Sequence, residues 1–239
     1  MNYLKQVNQY IEFSNFEKIL EILSIDKKQV YLIGGATRSI LSETYDNKDI
    51  DLVIPDLKDE TIEKISNEFN SKYYSGYRSL AITDNNFEYQ INSFRKDIHP
   101  TGRHSKVAKV LTLEEDSKRR DFTFNSIYIN LIGEVFDFYD GISHFKNSYL
   151  KFIFDPIDQI QKDYLRAIRF MRFLSLFQST KTSNKDLDAI ILLSKNITEF
   201  VKENKISSEL KKIHTMPYPK NTISYLTKNK ELNMFLDYL

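Results

Sequence analysis

A chain of 239 residues with 41% hydrophobic and 13% aromatic content has enough apolar mass for one large domain or two small ones. The formal net charge of +1 gives no global basic signal for nucleic acid, and the absence of cysteine excludes disulfides and thiolate chemistry. No apolar run approaches the roughly 20 residues of a membrane span, and no signal peptide opens the chain, so a cytoplasmic protein with no membrane partner is expected.

In chain order, residues 2–25 carry Leu4, Val7, Ile11, Phe16, Ile19, Leu20 and Leu23 at helical spacing, one or two helices that would form a lid over a sheet. A strand is expected over 29–33, a helix over 36–43, and a second strand over 49–54, ended by Pro55. A helix over 59–69 precedes strands over 77–83 and 87–94, joined by a tight turn at Asp84-Asn85-Asn86. Residues 98–108, with Pro100 and Gly102, read as a loop. Residues 116–130 read as a turn that becomes helical over 124–129; Gly133 turns the chain into a short extended segment over 136–138. From Pro156 onward the pattern is helical: 160–177, 185–195, 197–202, 207–214 and a weak pair after Pro219. The expected class is therefore α+β, a small mixed β-sheet with helices on one side followed by an all-helical part, the boundary falling near 142–155. There is no GxGxxG, which argues against a Rossmann unit. The histidines, His99, His104, His144 and His214, have no zinc spacing and read as surface or satisfied polar residues.

The chemistry concentrates in YLIGGATRSILSETYDNKDIDLVI, residues 31–54. Side chains alternate along a strand, so Asp49 and Asp51 share a face while Ile50 and Leu52 point the other way. Two neighbouring carboxylates repel each other and favour a hard divalent cation such as Mg²⁺ between them. Gly34 and Gly35 allow backbone amides to approach a phosphate at a helix N-terminus that already favours anions. Each signal alone is also an ordinary turn or strand-edge feature; their succession across one short helix points to metal-assisted transfer of a nucleotidyl group.

Arginine is used sparingly, nine among 34 basic residues, and five of the nine fall in two clusters. In Lys118-Arg119-Arg120-Asp121 the arginines would clamp a triphosphate or meet a polynucleotide backbone; the bland alternative is a solvated charge run. Asn125, four residues after Asp121, would share its face if the turn were helical. In KDYLRAIRFMRF, Asp163 and Arg166 lie close on one helix face, read as a pair exposed to a cleft and suited to a base edge. Arg172 falls on the apolar side, where it needs a carboxylate or carbonyl of the other domain, because an unpaired buried charge is costly. Arg169 is intermediate, and ordinary ion pairing on a helix surface is the alternative for the set.

Together these segments resemble the class II tRNA nucleotidyltransferase and bacterial poly(A) polymerase family: LIGGATRSIL, DIDLVI, EEDSKRRDFTFNSIYI with DFYDG, DYLRAIRFMRFLSLF and KISSELKKI occur in family order over about residues 29–214. The resemblance implies a nucleotidyltransferase head over 1–145 and a helical, base-recognising neck over 146–239, with further body and tail absent or reduced. It implies Asp49 and Asp51 as catalytic, metal-binding carboxylates for two Mg²⁺ ions. Gly34, Gly35 and Arg38 would hold the triphosphate. Arg119, Arg120, Asp121 and Asn125 would contact ribose and phosphates, and Asp163 and Arg166, with Arg169 nearby, would read the base. The implied reaction adds C or A from CTP or ATP to the 3′ end of tRNA, releasing pyrophosphate. A-addition, CC-addition, poly(A) synthesis and an inactive RNA-binding module are the alternatives. The sequence departs from the family pattern in having Lys162 before Asp163, where glutamate is usual, Gln90 in place of a strand carboxylate, and Lys205 in place of an arginine. Lys162 bears on base choice and Gln90 on a third metal ligand. With the chain this short, tRNA would be gripped by a neck surface, a homodimer partner or a small acceptor-stem contact.

Overall fold

The computed structural model describes residues 2–14, 16–101 and 104–239. They divide into two compact units. The first takes residues up to Ile98, Lys106–Arg120 and Phe124–Ile142; the second takes His99–Ser105, Asp121–Thr123 and Ser143–Leu239.

The first unit opens with α1 (Leu4–Ser14) and α2 (Glu17–Leu23). Then come β1 (Tyr31–Ile33), α3 (Gly35–Ser42) and β2 (Asp49–Ile54). Next are α4 (Asp59–Glu68), β3 (Asn70–Tyr74), β4 (Ser79–Asp84) and β5 (Phe87–Ser93). A two-stranded ribbon of β6 (Arg95–Thr101) and β7 (His104–Lys109) precedes α5 (Leu113–Ser117), β8 (Ile127–Asn130) and β9 (Val135–Asp137). The main sheet has seven strands in the order β3-β4-β5-β2-β1-β8-β9. Its pairs are antiparallel except β2 with β5, which α4 and the β3–β4 hairpin connect.

Register separates the two faces. Leu32 pairs with Leu52, Leu52 with Ile91 and Ile91 with Leu80, a fully buried apolar row. The next row, Ile50, Tyr89 and Ile82, reaches the amino-terminal helices, where the Tyr89 hydroxyl donates to the Ser14 carbonyl at 2.7 Å and Phe16 lies ring to ring with Tyr89. These helices therefore cover the sheet, as their amphipathic pattern implies. The opposite face carries the buried cluster of Ile33, Val53, Phe94, Val110, Leu113 and Tyr128, with Tyr31 and Phe136 against it.

In the first unit the structure departs from two sequence expectations. The segment expected as a loop over 98–108 is strand on both sides, in β6 and β7, while Gly102 and Arg103 lie outside the described residues. The segment expected to be helical over 124–129 makes only one 3₁₀ turn, Thr123–Asn125, before Ile127–Asn130 joins the sheet beside β1. Its four strand residues are all buried, and sheet pairing satisfies backbone groups that burial would otherwise orphan. The turn expected at Asn85-Asn86 forms with both residues at positive φ, 45° and 72°, which matches the twist of a two-residue hairpin.

The second unit is helical: α6 (Gly141–Lys146) leads into it, followed by α7 (Pro156–Lys162), α8 (Leu165–Phe173), α9 (Asn184–Leu192), α10 (Ser194–Phe200), α11 (Glu203–Lys211) and α12 (Pro219–Lys228). Phe122, Phe152, Phe170 and Phe173 form its aromatic core, with Phe152 stacked on Phe170 at 5.2 Å. The single helix expected over 160–177 is broken. Asp163 is extended (φ −153°) between α7 and α8, and its carboxylate accepts from the Leu165 amide at 3.1 Å. The helix ends at Phe173 in tighter i+3 bonds, from the Ser175 amide to Arg172 and the Leu176 amide to Phe173, and beyond it the Thr180 hydroxyl and the Asn221 amide donate to the Leu174 carbonyl. Among the described residues no helix is long and apolar enough to cross a membrane.

The β8–β9 turn at Gly133 (φ +80°) also seats the chain's beginning, since the Tyr3 amide donates to the Gly133 carbonyl at 2.9 Å. A Cβ at Gly133 would lie 2.2 Å from the Leu4 amide nitrogen, a backbone atom that cannot step aside. Gly133→Ala is expected to lose about 1–3 kcal/mol from backbone strain alone, read as a lower urea midpoint of the full chain.

Candidate active site

The site grows from the β1–α3 turn. Gly34 holds φ +60° and ψ −117°, a conformation that side chains disfavour, and it starts α3 without a side-chain cap. The Thr37 hydroxyl and the Arg38 amide both donate to the Gly34 carbonyl, at 3.0 and 3.2 Å. Antiparallel pairing sets Ile33 opposite Asp51, and a Cβ on Gly34 would stand 3.4 Å from Asp51 Oδ2. The turn at Gly34 thus faces the carboxylate, with ordinary contact room for a Cβ between them. Along β2, exposed Asp49, buried Ile50, half-buried Asp51 and buried Leu52 alternate, so both carboxylates sit on the face that Val53 shares. On β5, Glu88 stands in register beside Asp49 and Gln90 beside Asp51; the Gln90 amide donates to Ser79 Oγ at 3.1 Å. Among the described residues no three His, Cys, Asp or Glu side chains converge to hold a metal ion.

Gly35 has a separate reason to lack a side chain. A Cβ there would meet Asn47 Nδ2 at 2.4 Å. That same amide nitrogen donates to the Asp49 carbonyl at 2.6 Å, and Asn47 Oδ1 accepts from the Asp49 amide at 3.3 Å. Asn47 therefore brackets the backbone of Asp49, a residue type that readily makes such local bonds.

Arg38, on α3, donates to Asn125 Oδ1. Arg119 and Arg120 converge on Asp116: Arg119 Nε meets Oδ1 and Arg120 Nη2 meets Oδ2, both at 2.9 Å. Asp116 is fully buried and also accepts from the Tyr128 hydroxyl at 2.7 Å and the Arg95 amide at 3.1 Å. Burial alone would raise the Asp116 pKa, but Arg119, Arg120 and these hydrogen bonds outweigh it and hold the carboxyl well below its usual range. Burial, followed by repulsion from Arg119 and Arg120, lowers the pKa of Arg95. Arg119 and Arg120 thus share the Asp116 carboxylate, while the Arg95 guanidinium donates to the Tyr77 carbonyl and, at 3.0 Å, to Asn92 Oδ1. Because Tyr128 belongs to the Ile33–Val53 cluster, this network lies on the same sheet face as Asp49 and Asp51.

In the second unit, Asp121 is buried and forms an ion pair with Arg169, with 2.9 Å between Oδ2 and Nε, while its other oxygen accepts from the Phe122 amide at 2.8 Å. Asp121 and Asn125 share no helix face: Asp121 precedes the 3₁₀ turn that contains Asn125, and the two fall in different units. Arg166 is not exposed as expected; only 7% of its surface is accessible, and its guanidinium donates to the fully buried Gln159. Its amide donates to the Asp163 carbonyl at 3.0 Å. Arg172 finds its carboxylate in Glu209 of α11 at 2.9 Å, within its own unit rather than in the other one. His144 Nδ1 meets Thr123 Oγ1 at 3.0 Å; the side chains of His99 and His104 lie outside those described.

Three supporting residues escape a reading of motifs alone: Asn47, Asp116 and Gln159. Asp116 had a usable signal, since it precedes Arg119 and Arg120 by three and four residues, ion-pair spacing on a helix. Thr112 caps α5: its hydroxyl accepts from the Glu115 amide at 3.2 Å, while Glu115 Oε2 accepts from the Thr112 hydroxyl at 3.2 Å and the Leu111 amide at 3.4 Å, and this fixes α5 and hence Asp116. A carboxyl depressed on folding contributes stability above its unfolded pKa, about 3.9, and loses it as pH falls toward the folded value. Wild-type stability is therefore expected to drop on acidification below about pH 4. Asp116→Asn should be about 3–5 kcal/mol less stable at neutral pH and fall less steeply in acid, in urea titrations across pH.

Comparison with known proteins identifies the family and the fold. The chain matches the Poly A polymerase head domain over residues 30–151. It is 30% identical to a CCA-adding enzyme of Lactobacillus delbrueckii subsp. bulgaricus over 205 residues, 84% of this chain and 51% of that one. It is 27% identical to the mitochondrial CCA tRNA nucleotidyltransferase 1 of Mus musculus over 208 residues, 83% of this chain and 46% of that one. Its fold overlays the crystal structure of the Bacillus stearothermophilus CCA-adding enzyme in complex with CTP with a TM-score of 0.73 at 22% identity, covering 95% of this chain and 53% of the other. The chain spans about half the length of the curated relatives it matches. More than half of its residues lie within the head-domain match, and the chain belongs to the Poly A polymerase head-domain family.

Proposed function

We propose that this protein is a template-independent RNA nucleotidyltransferase that adds C, A or both from CTP and ATP to the 3′ end of tRNA, releasing pyrophosphate. The observation that carries the reading is the Asp49/Asp51 pair on β2 with the Gly34 turn facing Asp51. The donor set fits Mg²⁺: two hard carboxylate oxygen donors suit an ion that keeps water and substrate phosphates as its remaining ligands. Asp49 and Asp51 would hold two such ions. When bound, Mg²⁺ acidifies the attacking hydroxyl and neutralises charge on the leaving phosphates. Gln90 brings no third carboxylate, so the protein's own share of the coordination rests on the pair.

The other residues position substrate in this proposal. Amides at Gly34 and Gly35 and the start of α3 face the triphosphate, with Arg38, steadied by Asn125, beside them. Arg119 and Arg120, oriented by the buried Asp116 carboxylate, would form a platform for phosphates or ribose. Asp121, held by Arg169, and Asp163 at the start of α8 offer acceptors; Arg166 offers a planar donor fork whose orientation Gln159 fixes. Base choice then comes from protein side chains. The head (1–145) and neck (146–239) division, A-addition, CC-addition and poly(A) synthesis stay within the proposal. So does a cytoplasmic location, set beside the mitochondrial designation of the mouse relative. An inactive RNA-binding module is disfavoured by the intact carboxylate pair.

The test is incubation with each labelled nucleoside triphosphate, Mg²⁺ and tRNA ending in the discriminator base, C or CC, followed by sequencing of the 3′ ends. Asp51→Asn is expected to bind nucleotide but abolish incorporation; retained turnover would rule out the site. Arg166→Ala is expected to flatten the preference between CTP and ATP while leaving the Mg²⁺ requirement nearly unchanged. An equal loss with all four nucleotides would instead mark Arg166 as structural.

A further inference from the structure

β1 pairs with β2 only from Tyr31 to Ile33, and the chain then leaves the sheet into α3, so Asp49 at the start of β2 has no β1 residue beside it. On the β5 side, the Lys48 carbonyl accepts from the Glu88 amide at 3.0 Å. Asn47 takes the place that β1 leaves. Its Nδ2 donates to the Asp49 carbonyl at 2.6 Å and its Oδ1 accepts from the Asp49 amide at 3.3 Å. One side chain thus supplies both of the backbone partners that a neighbouring strand would have supplied. The loop that carries Asn47, residues 43–48, is in turn held by α1. Gln6 Nε2 donates to Glu43 at 3.4 Å, and the Tyr45 hydroxyl donates to Gln9 at 3.1 Å.

The Asn47 amide lies against Gly35. A Cβ on Gly35 would stand 2.4 Å from Nδ2 and 3.2 Å from Cγ, and its three nearest atoms would all belong to the Asn47 side chain. The backbone itself does not call for glycine here. Gly34 has a positive φ, whereas Gly35 does not and opens α3 as an ordinary helical residue. What excludes a side chain at Gly35 is therefore Asn47, in the position from which it holds Asp49.

We propose that Gly35 and Asn47 act as one positioning pair: the glycine leaves the room in which the Asn47 amide frames the Asp49 backbone, and this framing sets how tightly the carboxylate pair takes its cation. The pair has this role only within the functional reading above, which it deepens: the first glycine of the turn serves the turn, and the second serves the carboxylate strand. Groups that orient a metal ligand influence affinity strongly although they never touch the ion. The competing role for Gly35 is to let a phosphate approach its backbone, and the two roles separate once Asn47 is removed.

Thermal unfolding of the full chain at fixed ATP and increasing Mg²⁺ reads the difference, because a ligand raises the melting temperature according to how tightly the folded state binds it. Asn47→Ala is expected to need about tenfold more Mg²⁺ than wild type for the same rise. Gly35→Ala should show a similar loss, since its methyl group displaces the Asn47 amide. The double variant should be no worse than Asn47→Ala alone, because residues acting through one another are not additive. Asn47→Ser keeps one acceptor for the Asp49 amide, so it should fall between wild type and Asn47→Ala, and it replaces the alanine variant if that one does not fold. A double variant weaker than Asn47→Ala overturns the proposal and leaves Gly35 as room for the phosphate. So does a Gly35→Ala protein that responds like wild type. An Asn47→Ala protein that answers to Mg²⁺ at wild-type concentrations, however low it melts without ligand, marks a purely structural role and also overturns it. In each of these cases the wild-type response stands and this inference falls alone; a folded wild type with no response to Mg²⁺ and ATP removes the nucleotidyltransferase reading as well.

Discussion

The candidate site depends on one juxtaposition, the turn at Gly34 facing the carboxylate of Asp51. The register of β1 on β2 sets Ile33 opposite Asp51, so the residue after Ile33 must turn beside a charged side chain. Only glycine readily turns there with φ +60° and ψ −117°, and α3 begins at once, its first amides near the aspartates. Anion-favouring amides and cation-favouring carboxylates are thereby held at one end of the sheet by covalent connection and pairing alone. No long loop is needed to bring them together.

Around this contact the protein arranges charge by burying one partner. Asp116 is inaccessible, and the cost of burying a carboxylate is offset by Arg119, Arg120, the Tyr128 hydroxyl and the Arg95 amide. The result is a pair of guanidiniums held in fixed planes by one carboxylate, the geometry that the proposed phosphate contact would use. Asn125 treats Arg38 the same way, and Gln159 treats Arg166. In each case a buried or half-buried acceptor spends the arginine's conformational freedom before any ligand arrives, and pre-orientation of this kind lowers the entropy lost on binding.

The helical unit applies the same rule to its backbone. A continuous helix through Asp163 would place its carboxylate on a helix flank. The break instead puts Asp163 at the N-terminus of α8, where the carboxylate takes the Leu165 amide and the helix dipole favours its charge. Arg172, facing inward among apolar neighbours, is tolerated because Glu209 of α11 meets it. The aromatic core of Phe122, Phe152, Phe170 and Phe173 draws the short segment around Phe122 into this unit, although its sequence neighbours at 119 and 120 belong to the other.

By itself the sequence determined what local chemistry dictates. Alternation on β2 placed both aspartates on one face, the paired glycines marked the turn into α3, Asn85-Asn86 marked a hairpin, and amphipathic spacing located most of the helices. These features need only near neighbours along the chain. Tertiary structure decided the rest, because the deciding partners are distant in sequence. Residues 127–130 became strand because β1 offered a pairing edge, and Arg166 became buried because Gln159 accepts its charge-bearing donor. Arg38 was oriented by Asn125, 87 positions away, and Asp49 was framed by a loop that α1 grips. A strand's side-chain direction is fixed by its own backbone, whereas the orientation of a long arginine or the fate of an ambiguous apolar run depends on which acceptor or sheet edge the fold brings beside it.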